Sequence, residues 1–385
     1  MLKQPKNRLV LAFVLLLSLF YVGFIFPKQT NHDLDLPTLK IDLASRKQFV
    51  EKVNNLENPE NYPMVRNHAK AVSMYIEIQD DRINSYEAKD WQAYAEATRL
   101  YFYHAVFFQG ASVTPIPGRF IGSDKHLPDY ESAHHYWRDY YRYESYLETA
   151  QPLNEHIFAE KTVLHSLTRE SGLFFMYVIL VAYVLLIYNI VSKDKANKSL
   201  VNQFPLSSLQ KFVGKGMVAL MSSLLVSLAL LPAIVIIATQ HGWGSFQTTI
   251  PIYIEALTTN RNFITSTLGT WLLLALGMLI LWLLLLYLFI FLISGLLKNG
   301  LSAGVLSLVL LFSDQSYHYL RSGYKKNYFY SPTSFARIPQ IIDGSLGFRT
   351  LSTQLTPVMG MMVLGSSVVL LLILNLILLR RRPEL

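Results

Sequence analysis

The chain has 385 residues, of which 52% are hydrophobic and 16% are charged, and its mean hydropathy is +0.29. This composition excludes an intrinsically disordered chain and argues against an ordinary cytosolic enzyme, in which about 25% of residues are charged. The chain contains no cysteine, which excludes a disulfide framework, a thiolate metal site and a cysteine nucleophile.

Six apolar runs predict membrane spans, because a bilayer core about 30 Å thick needs roughly 20 apolar residues in a helix. The runs are Leu9–Phe26, Gly172–Val191, Met217–Thr239, Phe263–Leu297, Leu301–Phe312 and Val358–Leu379. The first is predicted to be a retained anchor, because the residues after Phe26 offer no small-residue cleavage site. The run Phe263–Leu297 would be about 50 Å long as a helix, so it must tilt, kink or begin as an interfacial or re-entrant piece. The run Leu301–Phe312 is short, although Gly300–Ser313 would just cross a locally thinned bilayer.

The distribution of charge orients these spans. With the N-terminus in the cytoplasm, the cytoplasmic segments hold twelve basic and two acidic residues, and segment 27–171 lies outside with more acidic than basic residues. We therefore expect a multi-pass membrane protein with both termini cytoplasmic and residues 27–171 extracellular. The absence of cysteine and the retained anchor fit a bacterial plasma membrane.

The predicted spans contain no Asp, Glu, Lys, Arg or His, which argues against a proton-driven transporter. Their milder polar residues are predicted to hydrogen-bond between helices, and a weakly polar translocation path is the alternative. These residues are Ser18, Tyr183, Tyr188, Asn189, Ser222, Ser223, Ser227, Ser366, Ser367 and Asn375.

Residues 27–171 have the length of one domain, and their patterning is helical without period-2 strands. The expected elements are a helix from Ser45 to about Leu56, a helix from Pro63 to about Gln79, a helix from Asp90, a loop over Gln109–Pro128, an aromatic helix after Pro128, and a helix from about Pro152 into the second span.

Six possible metal ligands lie within fourteen residues of this domain: His126, Asp129, Glu131, His134, His135 and Asp139. Histidine and carboxylate groups are good metal ligands. However, the adjacent His134 and His135 would point about 100° apart on a helix. We therefore interpret the group as a polar, aromatic helix face and predict no metal site.

Segment 192–215 connects the second and third spans and carries the most informative pattern. Pro205 interrupts the backbone, and Ser207 or Ser208 can cap a helical turn through Leu209, Phe212 and Val213. One interpretation is a connecting loop whose lysines follow the positive-inside rule. The other is a docking site for a cytoplasmic partner.

Three stretches resemble the permease subunits of type-2 ABC exporters. The loop carries Ser199-Leu200, Phe204-Pro205-Leu206-Ser207 and Phe212-Val213-Gly214-Lys215 just before a span. The stretch Phe291–Asn299 followed by Ser302-Ala303-Gly304 is similar to the family's turn between its fourth and fifth spans. The stretch Tyr330–Phe335 followed by Asp343-Gly344 is similar to its outer segment before the last span. By analogy, the large external domain is similar to that of a subgroup associated with export of, or immunity to, peptides and other amphipathic compounds.

The resemblance implies an all-α integral membrane protein with six transmembrane helices and a helical extracellular domain between the first and second. Its parts would be residues 1–26, residues 27–171, and a five-helix core over 172–385 with a coupling loop (192–215) and an outer re-entrant or loop segment (314–357). The coupling residues that it implies are Phe204, Pro205, Leu206, Ser207, Leu209, Lys211, Phe212, Gly214 and Lys215.

The resemblance also implies partners: two copies of an ABC ATPase subunit, a second permease chain that is identical or paralogous, and membrane lipid, but no nucleic acid. This chain lacks a phosphate-binding loop, because Gly214-Lys215-Gly216 has neither the leading glycine nor the hydroxyl residue. We therefore expect no catalytic residue and no cofactor on this chain, with ATP-Mg bound by the ATPase.

Two other classes of function remain as alternatives. The first is a membrane-anchored sensor or binding protein that captures a ligand with its external domain. The second is a membrane-embedded enzyme acting on lipid, which is disfavoured because the predicted spans offer no His or carboxylate for acid–base chemistry.

Overall fold

The computed structural model describes residues 4–29, 34–58, 61–107, 128–149, 152–192, 206–254, 263–297, 299–320, 328–350 and 352–382. The chain forms two compact units. The membrane unit comprises Met1–Gln29, Thr162–Trp243 and Thr270–Leu385, and the second unit comprises Thr30–Lys161 and Gly244–Gly269. The structure thus groups residues 244–269 with most of the segment that was predicted to form the external domain.

The elements follow one another in a simple order. The helices are α1 (Pro5–Phe20), α2 (Leu36–Asn54), α3 (Pro63–Glu87), α4 (Trp91–Phe107), α5 (Pro128–Glu148), α6 (Glu155–Phe158), α7 (Val163–Thr168), α8 (Glu170–Ile187), α9 (Ser208–His241), α10 (Leu268–Leu297), α11 (Gly300–Leu320), α12 (Ile338–Ile342), α13 (Ser345–Thr350) and α14 (Pro357–Arg381). The strands β1 (Thr249–Tyr253) and β2 (Phe263–Thr267) lie between α9 and α10.

Among the described residues, five helical stretches are long and apolar enough to cross a membrane, which makes the chain a predominantly helical, multi-pass membrane protein. They contain α1, α8, α9, α10 and α14. The sixth predicted span corresponds to α11, of which only Gly300–Asp314 is apolar, so α11 does not meet the same length criterion.

The first span changes its helical register near one end. After α1 the chain forms a π-helical turn over Tyr21–Ile25 and a 3₁₀ turn over Phe26–Lys28. Three side chains close a ring of hydrogen bonds beside this turn: Gln29 Nε2 donates to Tyr21 Oη, Tyr21 Oη donates to Ser171 Oγ, and Ser171 Oγ donates to Gln29 Oε1, all within 3.0 Å. The ring ties the end of the first span to the start of α8.

The fourth apolar run divides into two elements, so its helical part is 30 residues, about 45 Å, long. Its first five residues form β2, and α10 begins only at Leu268. β2 pairs antiparallel with β1, with Thr249 opposite Thr267 and Tyr253 opposite Phe263. The predominantly helical class holds, and this hairpin, which lies outside residues 27–171, is an element that the sequence did not predict because its two strands are only five residues long.

The second unit has an aromatic core built by α4, α5 and α6. The rings of Tyr143 and Phe158 stack with centroids 5.6 Å apart, and Tyr94 packs edge-on against Phe158. The fully buried aromatic side chains of this core are Tyr94, Phe102, Tyr136, Tyr143, Tyr146 and Phe158. The aromatic residues that the sequence could not place are thus, in large part, the core of this unit.

Local capping decides where several helices begin. Asp90 Oδ1 accepts a hydrogen bond from Ala93 N (3.1 Å), as predicted for the start of α4. Ser45 lies inside α2, whose cap is Asp35, so the predicted start at Ser45 is wrong. The single helix expected from Pro152 is broken into α6, α7 and α8, because Asn154 and Thr162 each cap a new short helix. The predicted loop over Gln109–Pro128 lies almost entirely outside the described residues.

Candidate functional site

The candidate coupling residues lie at the start of α9. Ser207 Oγ accepts a hydrogen bond from Gln210 N (3.2 Å), and Gln210 Oε1 accepts one from Ser207 N (2.9 Å), which is a complete capping box. The cap confirms the predicted helix start. The turn is not a separate element, however, because α9 continues without interruption to His241.

Three apolar residues of this turn face outward, beside the exposed polar residues Ser207 and Gln210. Leu206, Leu209 and Val213 are each exposed by about half, at 50%, 53% and 55%. Lys211 is partly buried, and a Cβ added at Gly214 would meet no atom within 4 Å. We call Leu206, Leu209, Val213 and Gly214 the exposed turn. Phe204 and Pro205 lie outside the described residues.

Two of the nine candidate residues face the interior instead. Phe212 is 5% exposed, and its ring lies 4.8 Å from the ring of Phe291 and 5.6 Å from that of Tyr287. The Nζ atom of Lys215 lies 5.4 Å from the centroid of Phe291. Phe212 and Lys215 therefore fasten α9 to α10, and the expectation that they contact a partner does not fit their burial.

A hydrogen bond and a close backbone approach reinforce the same contact. Tyr287 Oη donates to the carbonyl oxygen of Phe212 at 2.5 Å. A Cβ at Gly216 would lie 3.2 Å from Tyr287 Cε1, so glycine lets α9 approach this ring closely. The exposed turn is consequently fixed to α10 through Phe212 and Gly216, which lie on the same helix and contact Tyr287.

Basic residues surround this end of the membrane unit. Lys6 Nζ lies 3.8 Å from the ring centroid of Tyr188, which joins the start of α1 to the end of α8. Arg382 Nη1 donates to the carbonyl oxygen of Gly295 (2.8 Å), near the end of α10. Arg380 and Arg381 are exposed. The starts of α1 and α9 thus share a basic end with the ends of α8, α10 and α14.

The polar residues of the spans mostly bond within their own helices, so the prediction of bonds between helices is wrong for most of them. Ser18, Ser223 and Ser227 donate to the carbonyl oxygens of Leu15, Leu220 and Ser223. Ser366 and Ser367 both donate to Val363. Asn375 is different, since its Nδ2 donates across helices to Leu288 O (3.0 Å).

An ion pair lies in the helix that follows α10. α11 continues past Phe312, the predicted end of the sixth run, and the Asp314 side chain is fully buried there. Arg337, just before α12, places its Nε 3.4 Å from Asp314 Oδ2. Asp314 lies in the sixth helix but outside the predicted apolar run, because the helix extends beyond that run.

The possible metal ligands of the second unit have other contacts. The His134 ring packs 4.9 Å from Tyr253 and 5.1 Å from Phe263, and Asp139 lies 3.6 Å from Arg142. His126 and the side chains of Asp129 and Glu131 are outside the described part of the chain. Within that part, no group of three His, Asp or Glu side chains is arranged to hold a metal ion.

Two side chains of α5 form a further polar pair in the second unit. Tyr140 Oη donates to Glu144 Oε1 at 2.8 Å. Burial, together with this hydrogen bond to the carboxylate, raises the pKa of Tyr140 to about 12. A raised tyrosine pKa keeps the hydroxyl protonated at neutral pH, so Tyr140 acts here as a hydrogen-bond donor.

The coupling residues implied by the sequence did not include Val213, although the predicted turn ran through it, nor Met217, which is 59% exposed and continues the exposed turn. Both follow Leu209 at intervals of four residues, and this spacing places them on one helix face.

No protein-family model, no curated protein and no solved structure matches this chain, so its function is argued from this geometry and from its motifs.

Proposed function

We propose that this chain is the transmembrane permease subunit of an ATP-driven ABC exporter, coupled to a separate ATPase subunit through the exposed turn. Two ATPase copies and a second permease chain, identical or paralogous, complete the transporter. The proposed cargo is an amphipathic or lipid-like compound, antimicrobial peptides included. In this proposal α11 serves as the sixth span, and residues 30–161 lie outside the cell.

The observation that carries the proposal is the combination of an exposed apolar turn and a buried anchor directly behind it. A surface of Leu206, Leu209 and Val213 suits a partner that covers apolar groups, because removing apolar area from water is favourable. The basic residues around it favour a partner with an acidic rim.

The anchor explains how a push on the turn would reach the membrane. Phe212 is packed between Tyr287 and Phe291 of α10, and interiors packed in this way transmit displacement with little compression. A force on the exposed turn would move α9 and α10 together. This is the mechanical behaviour that coupling to ATP hydrolysis on another subunit requires.

The separate ATPase is needed because the glycine–lysine pair of this turn does not suit nucleotide binding. A phosphate-binding lysine must reach the ligand, whereas Lys215 is 9% exposed and lies over Phe291. ATP-Mg is accordingly assigned to the partner subunit, and the chain contributes the substrate path.

The proposal is tested by changing the exposed turn without changing its anchor. The double variant Leu206→Glu/Leu209→Glu should insert in the membrane normally and lose the ATPase when the tagged chain is purified from native membranes in mild detergent. Met64→Glu is the matched control, because Met64 is 86% exposed in the second unit and its change should leave the complex intact.

Mass spectrometry of the purified complex gives the result. Co-purification of an ATPase at wild-type stoichiometry with the double variant would show that the exposed turn is not the coupling site. A native complex that contains no ATPase would reject the exporter and favour the membrane-anchored sensor.

A further inference from the structure

One side of α5 brings partly exposed aromatic rings together at the edge of the core of the second unit. Trp137, Tyr140 and Glu144 follow one another at intervals of three and four residues, which places them on the same side of the helix. All three are partly exposed, whereas the core rings Tyr136 and Tyr143 of the same helix are 0% exposed. We call Trp137, Tyr140 and Glu144 the aromatic face.

The rings of this face form two walls of a corner. The ring planes of Trp137 and Tyr140 are perpendicular (90°), with centroids 5.7 Å apart. On α4, Tyr103 is 37% exposed, and its ring lies 5.8 Å from that of Tyr140. Such walls suit a cationic group, because an ammonium is attracted to the face of an aromatic ring within about 6 Å of its centroid.

Glu144 adds a negative charge to the same face. Its Oε1 accepts a hydrogen bond from Tyr140 Oη at 2.8 Å. Within the part of the chain that the structure describes, Glu144 forms no ion pair with a basic side chain. The carboxylate can therefore balance a cation that packs against the two rings.

Arg99, on α4, adds a positive charge near the same tyrosine. Burial and the hydrogen bond to Glu144 raise the pKa of Tyr140, and the positive charge of Arg99 acts in the opposite direction. Arg99 Nε is buried without a hydrogen-bond partner, and no described carboxylate forms an ion pair with Arg99. Arg99 and Glu144 thus influence one hydroxyl group without pairing with each other. A guanidinium in this state suits a phosphate, which it can bind through two parallel hydrogen bonds.

We propose that the aromatic face and Arg99 form a binding site for a small zwitterion that carries an ammonium group and a phosphate group joined by a short chain. The ammonium packs against Trp137 and Tyr140 and is balanced by Glu144, and the phosphate is bound by Arg99. A short chain between the two charges fits because Arg99 and Glu144 are themselves not close enough to pair. The site lies wholly within the second unit and stands independently of the ATPase and of the direction of transport.

The site is tested by calorimetric titration of the full chain in nanodiscs of phosphatidylglycerol, a lipid that has no ammonium group. Phosphocholine should bind, and choline and inorganic phosphate, which each carry half of its chemistry, should bind more weakly. Arg99→Gln should lower the affinity for phosphocholine about tenfold or more, to that of choline, because a hydrogen bond to a charged group is lost. Arg99→Lys keeps the charge and should recover part of this loss.

Glu144→Gln tests the second charge separately, and it should weaken the binding of phosphocholine and of choline alike. Arg66→Gln is the matched control, because Arg66 is exposed on α3 and its change should alter neither affinity. Equal affinities of Arg99→Gln and the parent chain for phosphocholine would overturn the site. So would equal losses in Arg99→Gln and Arg66→Gln, because overall charge and not the site would then govern binding.

Glycerophosphocholine distinguishes two sources of the ligand, since it is the headgroup as a lipid carries it. Tighter binding of glycerophosphocholine than of phosphocholine would assign the site to a lipid headgroup, and the reverse order would assign it to a free phosphate ester. If neither compound binds at millimolar concentration, the proposed site is wrong.

Discussion

α11 passes the end of α8 closely at Gly304, where no side chain stands between the helix and Tyr188. A Cβ at Gly304 would lie 2.8 Å from Tyr188 Cβ, so the helices would have to move apart. Tyr188 also makes a cation–π contact with Lys6, whose Nζ lies 3.8 Å from the ring centroid. We expect Gly304→Ala to lower the free energy of unfolding by about 1–3 kcal/mol, as overpacking does, measured by denaturant titration in mild detergent.

Gly365→Ala is the matched control for this change. Gly365 lies in α14, and an added Cβ there would meet no atom within 4 Å. Alanine is also a better helix former than glycine, so stability should stay level or rise by about 0.5–1 kcal/mol. Equal losses in both variants would mean that the close contact at Tyr188 is not what stabilises this crossing.

Residue positions could be predicted where the signal is local and not where it depends on a distant partner. Ser207 and Asp90 were identified as helix caps because a cap involves only the next three residues. Phe212 was assigned to the partner surface because an apolar residue suits either side of a membrane helix, and its actual neighbours lie more than 70 residues away in α10. Asp314 was missed because its helix outlasts its apolar run.

At the scale of elements, the β1–β2 hairpin is held to α5 mainly by rings. Phe263 lies 5.8 Å from Tyr141 and 5.1 Å from His134, and Thr249 Oγ1 donates to the carbonyl oxygen of Ser145 (3.0 Å). Phe263→Ala should destabilise the second unit by about 3–5 kcal/mol, the usual cost of removing a buried ring. Limited proteolysis should then cut within residues 245–267 far faster than in the parent.

Ile264→Ala provides the comparison within the same strand. Ile264 is 49% exposed on the opposite face of β2, so this change should alter stability by no more than about 0.5 kcal/mol. If both variants are cleaved alike, the hairpin is not docked through Phe263. The hairpin was not predicted because β2 forms the start of a long apolar run, and a strand of five residues there shows no clear alternation of apolar and polar side chains.

For the whole molecule, hydropathy was enough to predict five spans, since each needs only about 20 consecutive apolar residues. It was not enough to assign residues 244–269 to the second unit. That assignment depends on contacts such as His134 with Tyr253, which join residues over 100 positions apart and leave no local pattern. Hydropathy therefore predicts the five long apolar helices, whereas long-range packing decides how the segments between them are grouped.

The orientation of the whole chain is open to a direct test with two single cysteines, Met64→Cys and Leu209→Cys. Both positions are more than half exposed, at 86% and 53%, so burial within the chain cannot explain a difference between them. The basic end predicts that a membrane-impermeant thiol reagent labels residue 64 on intact cells. It should label residue 209 only after the cells are opened and the partner is dissociated. The reverse pattern would place the exposed turn outside the cell, where no ATPase can couple to it, and would reject both the topology and the proposed function.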